Sequence, residues 1–139
     1  MKNKIIRFGV SLDEGLLSKF DAYIKKEHYS CRSESIRDLI RDKLVQDDWN
    51  KDKVVAGAIT ITFDHHKREL VNQLLQIQHD FHDTIMASQH IHIDHDNCLE
   101  IIAVKGSALS IKKLADKLKA VKGVKHETLS MTTTGEKLT

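Results

Sequence analysis

The order of hydrophobic and polar residues divides the N-terminal part of the chain into a strand and two helices. Apolar and polar side chains alternate over residues 4–12, and this period of two predicts a β-strand. Apolar residues then recur with helical spacing from Glu14 to about Glu27 and, after Ser33 as the expected N-cap, to about Asp48. The strand has two faces, with Ile6, Phe8, Val10 and Leu12 on one and Arg7, Gly9 and Ser11 on the other.

This first segment is too small to enclose a core, so we expect a second chain to complete it. Antiparallel pairing of the strands of two chains, with two pairs of helices over the apolar face, would satisfy the open strand edges and bury that face. The polar face would form a ribbon that fits the DNA major groove: Arg7 would contact a guanine or a phosphate, Ser11 would hydrogen bond, and Gly9 would allow close approach. N–H groups near Ser33 would be free for a phosphate. The alternative is a dimerisation arm whose outer face is only solvated.

A polar stretch without a clear period, residues 49–53, predicts a linker to a second domain. Strand, helix, strand, strand, helix and strand follow over residues 54–132, with Ser110 as the expected cap of the second helix, and residues 133–139 are expected to form a flexible tail. The order βαββαβ predicts a ferredoxin-like, ACT-like domain with both helices on one face of an antiparallel sheet. We expect another copy to bury the uncovered face, where the metal site would lie. Trp49 could pack against either domain.

Histidines concentrate in this second domain, where seven of the nine fall within residues 65–95. His90 and His92 alternate with isoleucines, which predicts a strand with both imidazoles on one face. If the following turn holds an odd number of residues, as residues 95–97 would, Cys98 pairs with position 94 and shares that face. Two imidazoles and a thiolate then converge, a donor set that suits zinc, copper or nickel. The alternative is a polar hairpin that is rich in histidine by chance.

A further histidine, His79, lies on the helix that precedes this hairpin. The apolar stripe of that helix comprises Leu70, Val71, Leu74, Leu75, Ile77 and Phe81. An advance of about 100° per residue turns His79 away from its own sheet, whereas His90 and His92 would occupy the far side of the sheet. If His79 is a fourth ligand, we expect it to reach the site of another subunit. The alternative is a solvated helix histidine.

Composition narrows the remaining possibilities only slightly. The 139 residues carry a formal net charge of +2, too small to argue for nucleic acid, and two cysteines in separate segments make no disulfide framework. No run approaches about 18 apolar residues, and the N-terminus lacks signal-peptide features, so we expect a soluble cytoplasmic protein outside the membrane. Four protein ligands would leave no position for a substrate water, which argues against an enzyme.

Two segments, RFGVSLDEGLLSKFD and RSESIRDLIRDKL, resemble the ribbon-helix-helix DNA-binding fold. Joined to QHDFHD and HIHIDHDNCLEI, they make the chain similar to the nickel-responsive transcriptional regulators, the NikR family. The resemblance implies an α+β protein with a ribbon-helix-helix domain in residues 1–48 and a metal-binding and tetramerisation domain in residues 54–132. It also implies a homotetramer, a dimer of dimers, that binds one Ni(II) per chain and then operator DNA, repressing nickel uptake. Dimer symmetry predicts two inverted half-sites in the operator.

The resemblance assigns metal ligands by position. It places His90, His92 and Cys98 of one chain and His79 of a neighbour on nickel in a square-planar site. Glu100 lies two residues beyond Cys98 on the same strand face, where it could orient an imidazole.

The family also has a second cation site between its two domains, whose carboxylates match Glu34 and Asp38. Two carboxylates suit a hard cation such as potassium, whereas an exposed i,i+4 helix pair is the alternative. Lys67 matches a contact to DNA phosphates. Weaker sites for excess metal, or simply surface histidines, are expected at His65, His66, His82 and His95.

We therefore favour a nickel-switched repressor, with two alternatives left open. A ribbon-helix-helix regulator that responds to a small ligand would need no Cys98. A histidine-rich nickel-buffering protein would have several weak sites per chain and would be indifferent to loss of Arg7.

Overall fold

The computed structural model describes residues 3–138; Met1, Lys2 and Thr139, which the sequence assigns to the first domain and the tail, lie outside the described residues. The elements in chain order are α1 (Glu14–Lys26), α2 (Arg32–Asn50), β1 (Val54–Phe63), α3 (Arg68–Asp80), β2 (Ile85–His92), β3 (Cys98–Ser107), α4 (Ala108–Ala120) and β4 (Val124–Thr132). The chain is therefore an α+β protein, as expected. It divides into two compact units, an N-terminal unit that includes residues 3–44 and a C-terminal unit, Val45–Lys137.

In the N-terminal unit, a bidentate ion pair joins the two helices. Arg32, the first residue of α2, donates through Nε and Nη2 to the two carboxylate oxygens of Asp21 on α1, each over 2.8 Å. These hydrogen bonds from Arg32 lower the pKa of the Asp21 carboxyl. At the start of α1, the Asp13 carboxylate accepts a hydrogen bond from the Leu16 N–H (2.9 Å), which satisfies one free donor of the first turn.

The predicted cap of α2 was placed two residues too late. The helix begins at Arg32, so Ser33 is its second residue. The residue before the helix is Cys31, and a hydrogen bond from the Glu34 backbone lowers the pKa of its thiol. Because the thiol takes the place that a serine hydroxyl usually fills, residue preference pointed to the wrong position.

Residues 4–12, which the sequence predicts as a strand, form no ladder within the described part of the single chain. Their apolar side chains are exposed, with Ile6 77%, Phe8 72% and Val10 63% accessible. Together with Leu16 and Ile40 from the two helices they line an open apolar concavity. A strand requires a neighbouring strand for its backbone hydrogen bonds, and this segment has none within the described part of its own chain.

The last turn of α2 is anchored in the core of the C-terminal unit by Trp49. The indole is 2% exposed, and its Nε1 donates a hydrogen bond to the Thr132 carbonyl (2.9 Å). Its ring carbons lie 3.5 Å from the position of a Cβ on Gly57. Residues 49 and 50, predicted as linker, are thus helical. Burial of a single large aromatic side chain stabilises a turn whose other residues are polar and show no period.

The C-terminal unit is a four-stranded antiparallel sheet with strand order β2-β3-β1-β4. This βαββαβ topology is ferredoxin-like, which confirms the predicted order of elements. The cap of α4 differs from the prediction: Ser107 Oγ accepts a hydrogen bond from the Ser110 N–H (3.1 Å), so Ser110 is a donor three residues inside the helix.

One face of the sheet packs against the helices and holds the core. The fully buried side chains there include Ile59, Ile61, Phe63, Ile102, Leu114 and Leu118. From α3, Leu70 and Leu74 are buried, whereas Leu75 is 59% exposed. The predicted apolar stripe was therefore too wide, since Leu75 lies at its edge on the helical wheel. Within residues 3–138, no helix is long and apolar enough to cross a bilayer.

Candidate metal centre

The thiol of Cys98 is the point on which the histidines converge. Cys98 is the first residue of β3 and is fully buried. His90 Nε2 lies 3.1 Å and His92 Nδ1 3.4 Å from its Sγ. The strand register explains these contacts, because His92 is paired with Cys98 and His90 with Glu100.

The donors lie on the helix-covered face of the sheet, contrary to the expectation that they would occupy the far side. Cys98 is paired with Phe63 of the core, and paired residues of antiparallel strands project to the same face. The ring of Phe63 also contacts that of His90, with centroids 5.8 Å apart. The sequence could not identify this face, since β3 is apolar on both sides and alternation alone does not say which side the helices cover.

A five-residue turn, residues 93–97, fixes this register. The Asp94 carboxylate accepts hydrogen bonds from the N–H groups of Asp96 and Asn97 and from the Asn97 side chain, all within 2.9–3.0 Å. The Asn97 side chain is the largest cause of the lowered pKa of Asp94. Lys125 in turn donates to Asn97 Oδ1. The odd turn length puts Cys98 on the histidine face as expected, but its partner is residue 92 rather than 94.

A third imidazole, that of His65, also contacts the thiol. His65 Nδ1 lies 3.0 Å from Cys98 Sγ, and the donor atoms of His65, His92 and Cys98 all lie within 4.8 Å of one another. Burial lowers the pKa of His65, and His66 and His92 nearby lower it further. The sequence suggested only a weak or surface role for this residue. The missing information was the pairing of Phe63 with Cys98, which brings the loop after β1 to the hairpin.

The surroundings of the thiol favour a cation over a bare thiolate. Burial raises the pKa of Cys98, and the negative charges of Asp64, Asp94 and Glu100 raise it further. A positive ion bound to the sulfur would relieve both effects, since a metal replaces the thiol proton and offsets nearby negative charge.

Glu100 is buried and links β3 to α3. Its Oε1 accepts a hydrogen bond from Gln78 Nε2 (3.0 Å), so in the described chain the carboxylate reaches α3 instead of an imidazole. Gln78 directly precedes His79 in the last turn of α3. Sequence reasoning did not find Gln78; only its place beside His79 could have suggested it.

His79 is exposed and stands apart from this group. It lies in the last turn of α3, and its carbonyl accepts hydrogen bonds from the backbone N–H and the Nδ1–H of His82 (3.2 and 3.0 Å). Among the described residues of one chain, the potential metal-binding groups do not include His79.

The other histidines of this region lie on the surface. His66 and His95 form an exposed group with Asp96, in which His95 Nδ1 lies 3.0 Å from the Asp96 carboxylate. His66 Nε2 lies 2.9 Å from the His95 carbonyl. His82 lies beside Asp83, with His82 Nε2 3.1 Å from that carboxylate.

Each carboxylate of the predicted second cation site is paired with an arginine of the same helix. Glu34 is paired with Arg37 (2.7 Å) and Asp38 with Arg41 (3.2 Å) along the same helix. The predicted DNA contacts are exposed residues: Arg7, Gly9, Ser11 and Ser33 in the N-terminal unit and Lys67 just before α3.

Cys98, His65 and His92 lie close enough together to hold one borderline-soft divalent metal, whereas His90, which also contacts the sulfur, is not in that group. With metal–sulfur and metal–nitrogen bonds of about 2.3 Å and 2.0–2.1 Å, donors at right angles lie about 3.1 Å apart and donors at a tetrahedral angle about 3.5 Å apart. The observed sulfur–nitrogen distances are 3.0, 3.1 and 3.4 Å. Imidazole with thiolate suits zinc, copper and nickel alike, so the donor types do not choose among them.

Comparison with known proteins supplies that choice. Residues 56–132 match the family described as the NikR C-terminal nickel-binding domain. A protein of Syntrophus aciditrophicus assigned as a nickel-responsive regulator is 58% identical over 132 residues, which cover 95% of this chain and 96% of that protein. The chain belongs to the nickel-responsive regulator family. A family member assigned in Pyrococcus furiosus is 51% identical over 94% of this chain and 96% of its own.

Membership of the nickel-responsive regulators makes this protein a nickel-sensing regulator, with a regulatory rather than a catalytic role. Part of its fold resembles that of a solved structure at low sequence identity. An uncharacterized protein from Thermotoga maritima superposes with a TM-score of 0.52 at 16% identity, over 57% of this chain and 98% of that one.

Proposed function

We propose that this protein is a nickel-dependent, DNA-binding repressor of nickel uptake, acting in the cytoplasm. Nickel bound between subunits would promote operator binding. The observation that supports this most directly is the buried Cys98 thiol, with His90 and His92 within 3.4 Å, in a domain that matches a nickel-binding family.

The proposed ligand set is His90, His92 and Cys98 of one chain with His79 of a neighbouring subunit, one Ni(II) per chain. The exposed position of His79 at the end of α3 leaves its imidazole available to another subunit. Bound nickel supplies a positive centre that joins thiolate and imidazoles of two chains. Glu100 holds α3 through Gln78 and so positions His79. The assembly we propose is a homotetramer, a dimer of dimers.

The proposed DNA-binding part is the ribbon-helix-helix domain of residues 1–48. Pairing of residues 4–12 with the same segment of a second chain would bury the exposed Phe8 and its apolar neighbours. Arg7, Gly9 and Ser11 would then face the major groove, and the start of α2 near Ser33 would meet a phosphate.

Two further contacts are proposed, one between Lys67 and DNA and one between a hard cation and two carboxylates of α2. Lys67 would contact a DNA phosphate from the loop before α3. Potassium at Glu34 and Asp38 would have to compete with Arg37 and Arg41, to which these carboxylates are paired.

The switch requires that nickel-bound His79 favour the arrangement of subunits that matches two inverted half-sites. A ligand shifts an equilibrium only by its difference in affinity for the two states.

The test is an optical titration of the metal-free protein with Ni(II), with DNA retardation measured in parallel. We expect a thiolate-to-nickel charge-transfer band that saturates at one ion per chain, together with a gain of operator binding. His79→Ala and Cys98→Ala should lose the nickel-dependent gain while remaining folded, whereas His126→Ala, at an exposed position of β4, should keep it. Metal-dependent DNA binding that persists in both variants would contradict the proposal. Several weak sites with unchanged DNA affinity would support the buffering alternative instead.

A further inference from the structure

Three imidazoles of the same chain contact Cys98, one more than the proposed interchain site uses. His65 Nδ1 is 3.0 Å from Sγ, closer than the nitrogens of His90 (3.1 Å) and His92 (3.4 Å). The rings of His65 and His92 meet edge to face, with centroids 4.8 Å apart. His65 therefore occupies a donor position of the metal centre in the single chain.

The strand register places His65 there. Phe63, the last residue of β1, is paired with Cys98, the first residue of β3. His65 follows two residues later, in the loop that leads to α3. A turn shapes this loop: the Asp64 carboxylate accepts a hydrogen bond from the His66 N–H (2.9 Å), and the Asp64 carbonyl accepts one from the Lys67 N–H (3.3 Å).

The three nitrogens cannot all stay in place around a planar metal. Each lies 3.0–3.4 Å from the sulfur, the spacing of about 3.1 Å that belongs to neighbouring positions. A square plane has two positions next to the sulfur, and the position opposite lies about 4.3 Å away for the same bond lengths. His90 and His92 are held by the β2–β3 ladder, whereas His65 is in a loop. His65 is thus the imidazole that can leave.

We propose that His65 is an intrachain nickel ligand, which binds the metal together with His92 and Cys98 of its own subunit and is replaced by His79 of a neighbouring subunit. This inference rests on the proposed function, because it concerns how the same site is loaded. A single subunit then offers Cys98, His65 and His92, whose donor atoms lie within 4.8 Å of one another, to the metal before any neighbour contributes. Exchange of His65 for His79 couples metal loading to subunit arrangement.

The test compares nickel binding by four full-length proteins: wild type, His79→Ala, His65→Asn combined with His79→Ala, and His126→Ala as a control on the exposed part of β4. Asparagine at position 65 keeps a side-chain N–H near the sulfur but is a poor nickel ligand. Affinity is measured by competition with a chelator, and the ligand set by the thiolate-to-nickel absorption band and by magnetic susceptibility.

We expect His79→Ala to bind one Ni(II) per chain with an altered absorption band, since His65 replaces the missing ligand. The double variant should bind at least about tenfold more weakly than His79→Ala, comparable to the smaller losses seen when one supporting group of a metal site is removed. His126→Ala should match the wild type. Equal affinities and superimposable spectra for His79→Ala and the double variant would overturn the inference.

Loading kinetics give a second readout. Rapid mixing of wild-type protein with Ni(II) should show an early spectrum that resembles nickel-loaded His79→Ala, followed by conversion to the final one. His65→Asn should lose the early phase and still reach the final spectrum; an unchanged early phase would also overturn the inference. A wild type that binds nickel but gains no operator binding would contradict the proposed function alone, because the role of His65 is read from spectra and affinity.

Discussion

In the C-terminal unit, Ile59, Ile61 and Leu114 are fully buried, whereas in the N-terminal unit Phe8 is 72% and Ile6 77% exposed. Both units contain regularly spaced apolar residues. The sheet of the C-terminal unit packs against helices of the same chain, but residues 4–12 pair with no strand among the described residues 3–138. An apolar pattern therefore predicts burial without saying which chain supplies the partner.

A charge on the exposed apolar face of the N-terminal unit should have the largest effect. Phe8→Asp should abolish dimer-dependent operator binding, by more than about 100-fold, because loss of a buried phenylalanine costs about 3–5 kcal/mol. Nickel stoichiometry, measured by optical titration, should not change. Arg7→Ala, on the other face of the same segment, should weaken DNA binding but leave association intact in sedimentation. An intact, DNA-binding Phe8→Asp protein would show that this face is not an interface.

Truncation of a buried side chain tests the stability of the C-terminal unit. Leu114→Ala should lower the free energy of unfolding by about 2–5 kcal/mol, because the side chain is fully buried and leaves a cavity. The control is Leu75→Ala, at a position that is 59% exposed, where a surface substitution should change stability by less than about 0.5 kcal/mol. Urea denaturation of the metal-free protein measures both. Equal losses would mean that Leu75 is buried in the assembly.

The pH dependence of nickel binding should arise from a residue of the C-terminal unit, the thiol of Cys98. Burial raises the pKa of Cys98, so the thiol keeps its proton through neutral pH and metal binding must release it. Apparent affinity should therefore rise with pH, by up to about tenfold per pH unit for this one proton, until the raised pKa is reached. Chelator competition across pH measures the slope, and Cys98→Ser should flatten it. An affinity independent of pH would mean that the thiolate is not a ligand.

In the metal-free protein, the raised pKa of Cys98 makes folding stability fall as pH rises, whereas nickel affinity increases with pH. It favours the protonated folded state, so its contribution to stability is complete below the unfolded-state pKa and is lost as pH rises through the folded-state pKa.

The smallest predicted effect concerns Trp49, which lies in the last turn of α2 and belongs to the C-terminal unit. Trp49→Phe keeps the aromatic side chain but removes the donor to the Thr132 carbonyl, which should cost about 1 kcal/mol of stability. Urea denaturation measures the loss, and it should appear in the transition that Leu114→Ala also shifts. A loss confined to a different transition would place Trp49 outside the C-terminal core.

Periodicity predicted the elements of the C-terminal unit well, because each amphipathic segment is buried on a partner from its own chain. It failed where one side chain decides the outcome. The last turn of α2 depends on Trp49, and the start of that helix on Cys31. Neither a single buried tryptophan nor a cysteine before a helix produces a periodic pattern in the sequence.

Local spacing predicted that His90, His92 and Cys98 share a face, because all three lie in one hairpin. It missed His65, which is 33 residues from Cys98 and joins it only through the pairing of β1 with β3. The covered face of the sheet was also beyond local reasoning, since it depends on how the helices cross over. The spacing of residues along the chain therefore does not predict the pairing of distant strands on which the site depends.

Strand β2 lies at the edge of the sheet and is held by β3 alone, whereas β3 is paired on both sides. A slip of β2 by one residue would turn His90 and His92 away together and present isoleucines to the thiol. A misfolded hairpin would therefore lose two of the proposed ligands at once. If nickel binds as proposed, only a subunit with the correct register would acquire the metal, so that nickel binding would select correctly folded subunits.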